Sequence, residues 1–141
     1  MQWAAMQTAE YFHDVRRKLR EMQKTHRSAV HVKMHTVERS IAEGVFARGD
    51  RRLAPAIEYA YRHGARFDGW DETFRYSLWL EAFAQTGVDP AWYAHRERKR
   101  DEILPWDHIA DKMDKAFLWK QYEDLFAKIG VSGPGLVSMQ E

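Results

Sequence analysis

The stretch VFARGDRRLAPAIEYAYRHGARFDGW, residues 45–70, decides the fold of this chain. Apolar residues recur at helical spacing on both sides of Gly49-Asp50, with Val37, Ile41 and Val45 before it and Leu53, Ile57 and Tyr61 after it. Glycine ends helices and aspartate caps the helix that follows, so the pattern predicts two helices around a tight turn. A second turn, Phe67-Asp68-Gly69-Trp70, follows the pair.

Further helices are predicted on either side of this pair. Residues 11–23 carry an apolar stripe, and Thr8 can cap that helix. Downstream, a stripe ends at Gly87, a short helix runs from Asp89 to about residue 98, and a last helix ends near Gly130. Apart from the short helix, each of these helices has an apolar stripe. In chain order the stripes are Phe12, Val15, Leu19 and Met22; Tyr76, Trp79, Leu80 and Phe83; and Leu118, Tyr122, Leu125 and Ile129. The segment before and after Pro105, residues 102–109, is predicted to be an extended loop.

One segment has the period of a strand. In residues 29–35, Val30, Val32 and Met34 alternate with polar residues, which is typical of a half-buried strand. A single strand leaves its backbone groups unpaired, so it needs a partner. Three partners are open: the segment Met1–Ala4, a second copy of the chain through residues 29–35, or a sheet belonging to sequence outside this chain.

Composition excludes several classes of function. The chain has 141 residues, 22 Lys and Arg against 21 Asp and Glu, and no cysteine. The length suits one domain, and the balanced charge does not indicate nucleic acid as a partner. Without cysteine the chain forms no disulfide, thiolate nucleophile or self-sufficient iron–sulfur cluster. No apolar run reaches the roughly 20 residues of a membrane span and no secretion signal is visible, so we expect a cytoplasmic protein without a membrane partner.

Several spaced motifs resemble one known family. They are Gln2-Trp3-Ala4-Ala5, Glu38-Arg39-Ser40, Arg48-Gly49-Asp50-Arg51-Arg52, Gly64-Ala65-Arg66-Phe67-Asp68-Gly69-Trp70, Leu104-Pro105-Trp106-Asp107-His108-Ile109 and Lys115-Ala116-Phe117-Leu118. In this order, over about residues 1–125, they resemble the region after the radical barrel in the radical S-adenosylmethionine (SAM) proteins that contain a B12-binding domain. The C-x-x-x-C-x-x-C loop of that family would lie upstream. Its frequent cysteine-rich tail is replaced here by Ser132-Gly133-Pro134-Gly135.

The helical periods predict a mainly α fold, a compact bundle of five or six short helices. The resemblance implies that one or two short N-terminal strands would extend the missing barrel. Residues 1–36 would be a barrel-edge helix and strand, residues 37–130 a C-terminal helical accessory domain, and residues 131–141 a flexible tail. The chain would be a fragment that packs on the barrel and could close it over a substrate. The [4Fe-4S] cluster and SAM, with cobalamin as a further option, would belong to the full-length protein. The alternative is an independent helical interaction module, with dimerisation as an option.

The candidate residues for structural or substrate contacts are Arg48, Asp50, Arg51, Arg52, Asp68, Trp70, Trp106, Asp107 and His108. Helix capping and carboxylate pairing explain the Arg/Asp motif, whereas bidentate binding of a substrate anion by Arg51 and Arg52 is the functional alternative. We expect a polar network in which Arg51 or Arg52 binds an aspartate or a helix-end carbonyl, with Trp106 packed over it.

Two further interpretations concern acid–base and metal chemistry. Asp68 and the carboxylates that follow Trp70 could act in acid–base catalysis, although turn and cap roles explain them as well. His31, His35 and His108, with Asp107 behind, could be imagined as a zinc site, but nothing in the sequence brings them together. The tryptophans Trp79, Trp92, Trp106 and Trp119 are most simply core residues, with Trp106 as a possible anchor at a domain interface.

Overall fold

The computed structural model describes residues 2–25, 35–70, 72–109 and 112–130. Within those ranges the chain is mainly helical and contains no strand, which confirms the helical fold class. The helices are α1 (Ala9–Thr25), α2 (Val37–Ala47), α3 (Ala54–Arg62), α4 (Tyr76–Gln85), α5 (Pro90–Ala94) and α6 (Lys115–Ile129), and one turn of 3-10 helix, Arg51–Leu53, precedes α3. The predicted strand, residues 29–35, lies outside the described residues except for His35, and residues 2–4, one of its possible partners, are irregular.

The chain divides into two compact units. Unit 1 combines Met1–Ala5 with Arg96–Glu141, and unit 2 is the continuous segment Met6–His95. The backbone amide of Arg98 donates to the Trp3 carbonyl oxygen at 2.9 Å and so ties the two segments of unit 1 together. The sequence-based division after residues 36 and 130 is a different one and stays a prediction.

Aspartates begin several of the helices. The side chain of Asp50 accepts the Arg52 amide at the start of the 3-10 turn, Asp89 accepts the Ala91 amide before α5, and Asp114 accepts the Phe117 amide before α6. Each bond satisfies an amide that has no partner within its own helix. The caps expected at Asp50 and Asp89 are therefore confirmed.

The core of unit 2 forms where α3 packs on α4, and it corrects the predicted stripe of α3. Leu53 is buried as expected, but Ile57 and Tyr61 are 46% and 59% exposed. Ala56 and Ala60 are fully buried in their place. Small side chains on α3 leave room for the large rings of Trp79 and Phe83 on α4, which are buried in the same cluster.

The core of unit 1 is aromatic. Trp3 is 2% exposed, and its ring meets that of Trp119 edge-on with centroids 4.9 Å apart. Tyr122 and Phe126 complete the buried cluster. The predicted stripe of α6 is correct at Tyr122 and wrong at Leu125 and Ile129, which are 39% and 55% exposed. The buried side of α6 is the one that meets Trp3, a contact distant in sequence.

The segment around Pro105 is a tight turn rather than the extended loop that was predicted. The Asp107 amide donates to the Leu104 carbonyl oxygen at 3.0 Å, which closes a four-residue turn with proline in its second position. Proline restricts the residue before it, but its own backbone angle also suits the start of a turn. The Asp107 side chain accepts the Leu104 amide at 2.9 Å and stabilises the reversal.

Helix α1 differs from the other long helices. It has an apolar side and a basic side, yet none of its residues is buried. Thr8 precedes it, and the Thr8 hydroxyl oxygen lies 3.4 Å from the Tyr11 amide, in the capping position that was predicted. Neither α1 nor any other helix in the described ranges has the length and apolarity needed to cross a membrane.

Candidate functional site

The Arg48–Arg52 motif is held against α5 of unit 2. Arg48 follows the end of α2, and its Nε donates to the Tyr93 carbonyl oxygen at 2.7 Å. The Asp50 carboxylate accepts the Arg52 amide and both Nε and Nη2 of the Arg52 guanidinium, the last at 2.5 Å. The Tyr93 hydroxyl donates to the same carboxylate at 3.3 Å. Asp50 is therefore a cap, an ion-pair partner and a link to α5 at once.

This arrangement perturbs the titration of two groups. The hydrogen bonds from the Arg52 guanidinium lower the pKa of Asp50 from 3.8 to about 2, against the opposing effect of burial. Burial raises the pKa of Tyr93, and the negative charge of Asp50 adds to that effect. Both shifts keep Asp50 ionised and Tyr93 protonated near neutral pH. Neither group is therefore suited to exchange protons with a substrate at that pH.

The expected network around the arginines is present, and aromatic rings of α5 lie beside Arg52. The Arg52 guanidinium lies 4.8 Å from the centroid of Trp92 and 5.8 Å from that of Tyr93. Trp106 belongs to unit 1, where its Nε1 donates to Gln2 at 2.7 Å and the Arg98 guanidinium lies over its ring. Trp92 of helix α5 therefore lies beside Arg52, and the contacts of Trp106 given above are to residues of its own unit.

We expect Asp50→Ala to lower the free energy of unfolding by about 1–2 kcal/mol at pH 7, because it removes a helix cap. Since the pKa of Asp50 is lower in the folded state, its contribution is present above pH 3.8 and is lost as the pH falls toward 2. The difference between wild type and variant should therefore shrink over that range in chemical denaturation measured at several pH values.

Arg52→Ala is the control for this prediction. The Arg52 side chain is 61% exposed, so its loss should cost less than about 1 kcal/mol. It should also raise the pH at which the stabilising contribution of Asp50 is lost, toward the ordinary pKa of an aspartate. An equal stability difference between Asp50→Ala and wild type at pH 7 and pH 2 would contradict the assigned ion pair.

Asp68 lies in the turn before α4. Its Oδ2 accepts the Trp79 Nε1–H at 2.7 Å. The turn is closed by the Trp70 amide, which donates to the Phe67 carbonyl oxygen at 2.9 Å, and this confirms the turn predicted at residues 67–70. Trp70 itself is 67% exposed. The contacts of Asp68 are to α4, whereas those of Asp50 are to α5, so the two motifs of unit 2 are held by different helices.

The third group of candidate residues lies in unit 1. Asp107 accepts the Leu104 amide and, at 2.7 Å, the Lys115 ammonium group. Burial would raise the pKa of Asp107, but the hydrogen bonds from Lys115 and Leu104 outweigh it, and the pKa lies below its ordinary value. Lys115 also donates to the Glu102 carbonyl oxygen at 2.5 Å. His108 is exposed.

A further polar contact of unit 1 was not predicted from the sequence. Arg96 and Glu102 form a bidentate pair with distances of 2.5 and 2.7 Å. The hydrogen bonds from Arg96 lower the pKa of Glu102 below its ordinary value. Residues six apart in an irregular segment have no periodic signature, so only the folded chain shows the pair. The contact of Tyr93 with Asp50 in unit 2 was equally invisible.

The described residues contain no group of three or more His, Asp or Glu side chains placed to hold a metal ion. His31, one of the three histidines of the zinc interpretation, lies outside the described ranges, so the zinc site stays a prediction. The aspartates of the motifs are occupied by amide, indole, guanidinium and ammonium donors. This arrangement stabilises turns and helix ends and assembles no nucleophile–base pair among the candidate residues.

No protein-family model, curated protein or solved structure matches this chain.

Proposed function

We propose that this chain is the C-terminal accessory part of a radical SAM iron–sulfur protein, where it packs on the catalytic barrel and takes no part in the chemistry. The spaced motifs support the family assignment. The catalytic cluster requires three thiolates, and a chain without cysteine supplies none of them. The cluster and SAM would therefore be held by the barrel, in a cytoplasmic protein.

The main observation in favour of packing on the barrel is that the apolar side of α1 is exposed. Tyr11 and Met22 lie on this side and are 51% and 56% exposed. Helices of this length gain most of their stability in water from burying an apolar face. A partner that covers this side of α1 would supply that burial, and the resemblance places the barrel edge at this helix.

The opposite side of α1 is unsuited to packing on an apolar surface. Arg17, Arg20 and Lys24 are exposed and lie three and four residues apart, and like charges at that spacing repel. They would stay in solvent when the apolar side is covered. The side that carries Tyr11 and Met22 is therefore the one assigned to the barrel.

The motif contacts support a scaffold role rather than a catalytic one. Arg48 binds a backbone carbonyl, Asp50 caps a helix, and Asp107 holds a turn with Lys115. Each of these groups is engaged within its own unit. Such contacts would keep the accessory part rigid while it lies on the barrel.

The proposal is tested by co-purification. The reading frame upstream of residue 1 should encode a C-x-x-x-C-x-x-C barrel, and that barrel, co-expressed with this chain, should bind it. Tyr11→Gln combined with Met22→Gln should weaken binding at least tenfold, because exposed aromatic and methionine side chains are frequent anchors of interfaces.

Arg17→Gln combined with Arg20→Gln is the matched control, since it places the same side chain on the polar side of the same helix. It should leave the affinity within about threefold. Absence of an upstream cysteine motif would overturn the proposal. Self-association that the Tyr11/Met22 variant abolishes would instead identify the alternative, an independent interaction module that dimerises.

A further inference from the structure

Unit 2 contains a groove with aromatic walls and two carboxylates. It has a volume of about 530 Å³, within the range of small-molecule sites. It lies between α2, α3, α4 and the Phe67–Trp70 turn. Its lining residues are Arg39, Ala42, Glu43, Phe46, Ile57, Asp68, Phe74 and Trp79. We propose that this groove binds a small organic cation, a primary ammonium or guanidinium group on an apolar body.

The walls of the groove suit the apolar body of such a ligand. The rings of Phe46 and Trp79 meet edge-on with centroids 4.8 Å apart, and Trp79 is only 8% exposed. Aromatic faces attract cations as well as apolar groups. The aromatic walls can therefore contact both parts of the ligand.

The charges of the groove favour a cation. Asp68 uses Oδ2 to accept the Trp79 Nε1–H, which fixes the carboxylate at the wall. Glu43 is exposed on α2, and no basic side chain of the described residues forms an ion pair with Glu43 or Asp68. The one cationic group in the lining, that of Arg39, donates to the Gly69 carbonyl oxygen. The lining of the groove therefore contains two carboxylates and one guanidinium, and that guanidinium is bonded to the turn.

The turn that carries Asp68 is held in a strained conformation. Phe67 has a φ of 56°, a left-handed value that residues with large side chains rarely adopt. Its side chain is 76% exposed, so burial of the ring does not compensate for the strain. Strained backbone of this kind concentrates at ligand sites, where it presents a group in a required orientation. Here the group presented is the Asp68 carboxylate.

The test is a titration of the ¹⁵N-labelled full chain followed by NMR, with 2-phenylethylammonium as the probe. The Trp79 indole N–H, assigned with Trp79→Phe, reports on the groove directly because it is bonded to Asp68. We expect saturable shifts of this signal with the cation. 3-Phenylpropionate, an anion of the same size, and neutral 2-phenylethanol should bind at least about fivefold more weakly.

Variants separate charge recognition from shape. Asp68→Asn keeps an oxygen acceptor for Trp79 but removes the negative charge. Glu43→Gln removes the other negative charge of the groove. Each should weaken binding of the cation about three- to tenfold. Glu58→Gln, an exposed position paired with Arg62 and outside the groove, should have no effect.

Three results would overturn the inference. Equal affinity for the cation and the neutral alcohol, unaltered by Asp68→Asn, would show an apolar groove without charge recognition. Absence of any shift in the Trp79 signal at the solubility limit of the probe would show that no such site exists. Tighter binding of 3-phenylpropionate would also contradict it and assign the groove to anions through Arg39.

Discussion

Trp3→Ala is expected to lower the free energy of unfolding of unit 1 by about 3–5 kcal/mol, the usual cost of removing a large aromatic side chain from a core. Trp3 is among the largest side chains that are fully buried. Its ring contacts Trp119 and Tyr122, with centroid distances of 4.9 and 5.6 Å, so its loss would leave a cavity at the centre of the cluster. A domain with typical stability would lose a large share of it.

The effect should appear first in α6, which supplies the other three residues of the cluster. Hydrogen exchange of the α6 amides measures this directly, because local unfolding is reported residue by residue. Trp70→Ala removes the same side chain from a position that is 67% exposed, and should change stability by no more than about 0.5 kcal/mol. Unaltered protection of α6 in Trp3→Ala would contradict the assignment of Trp3 to the core.

Gly49→Ala should destabilise unit 2 by about 1–3 kcal/mol, the range typical of overpacked cores. A Cβ atom at Gly49 would lie 2.0 Å from Leu53 Cδ1 and 3.0 Å from the Val45 carbonyl oxygen. Leu53 is 3% exposed and has little room to move away, and the carbonyl oxygen belongs to α2 itself. Thermal and chemical denaturation would measure the loss.

Gly69→Ala is the matched control, since it makes the same change at the other motif glycine. A Cβ atom there meets nothing within 4 Å, and the backbone angle is one that alanine adopts. It should be neutral or stabilising by up to about 1 kcal/mol, because alanine restricts the unfolded chain. Equal destabilisation by both substitutions would show that backbone freedom, rather than space, explains the glycines.

The structure also gives a different reason for the presence of glycine at positions 49 and 69. The sequence placed each of these glycines in a predicted turn. Neither has a positive φ; the residue of the second turn that does is Phe67. Gly49 is required by the close approach of Leu53, a contact that only the packed structure reveals.

Much of the secondary structure could be predicted because its causes lie within a few residues of one another. Thr8 before α1, Asp50 before the 3-10 turn and Asp89 before α5 occupy the predicted capping positions, since a cap binds an amide two or three positions away. The pairing of Arg52 with Asp50 follows from the same short separation. The absence of cysteine likewise required no structure to interpret.

The tertiary structure alone decided which faces are buried and which aromatic ring meets which partner. On α3 the periodic pattern fits both Ile57 with Tyr61 and Ala56 with Ala60, and the close approach of α4 selects the alanines. Likewise Trp92 of α5 lies beside Arg52, and Trp3 belongs to a core with residues more than a hundred positions away. Helical periodicity states that a side chain shares a face with its neighbours, but burial depends on what that face meets, and this is a property of the whole folded unit.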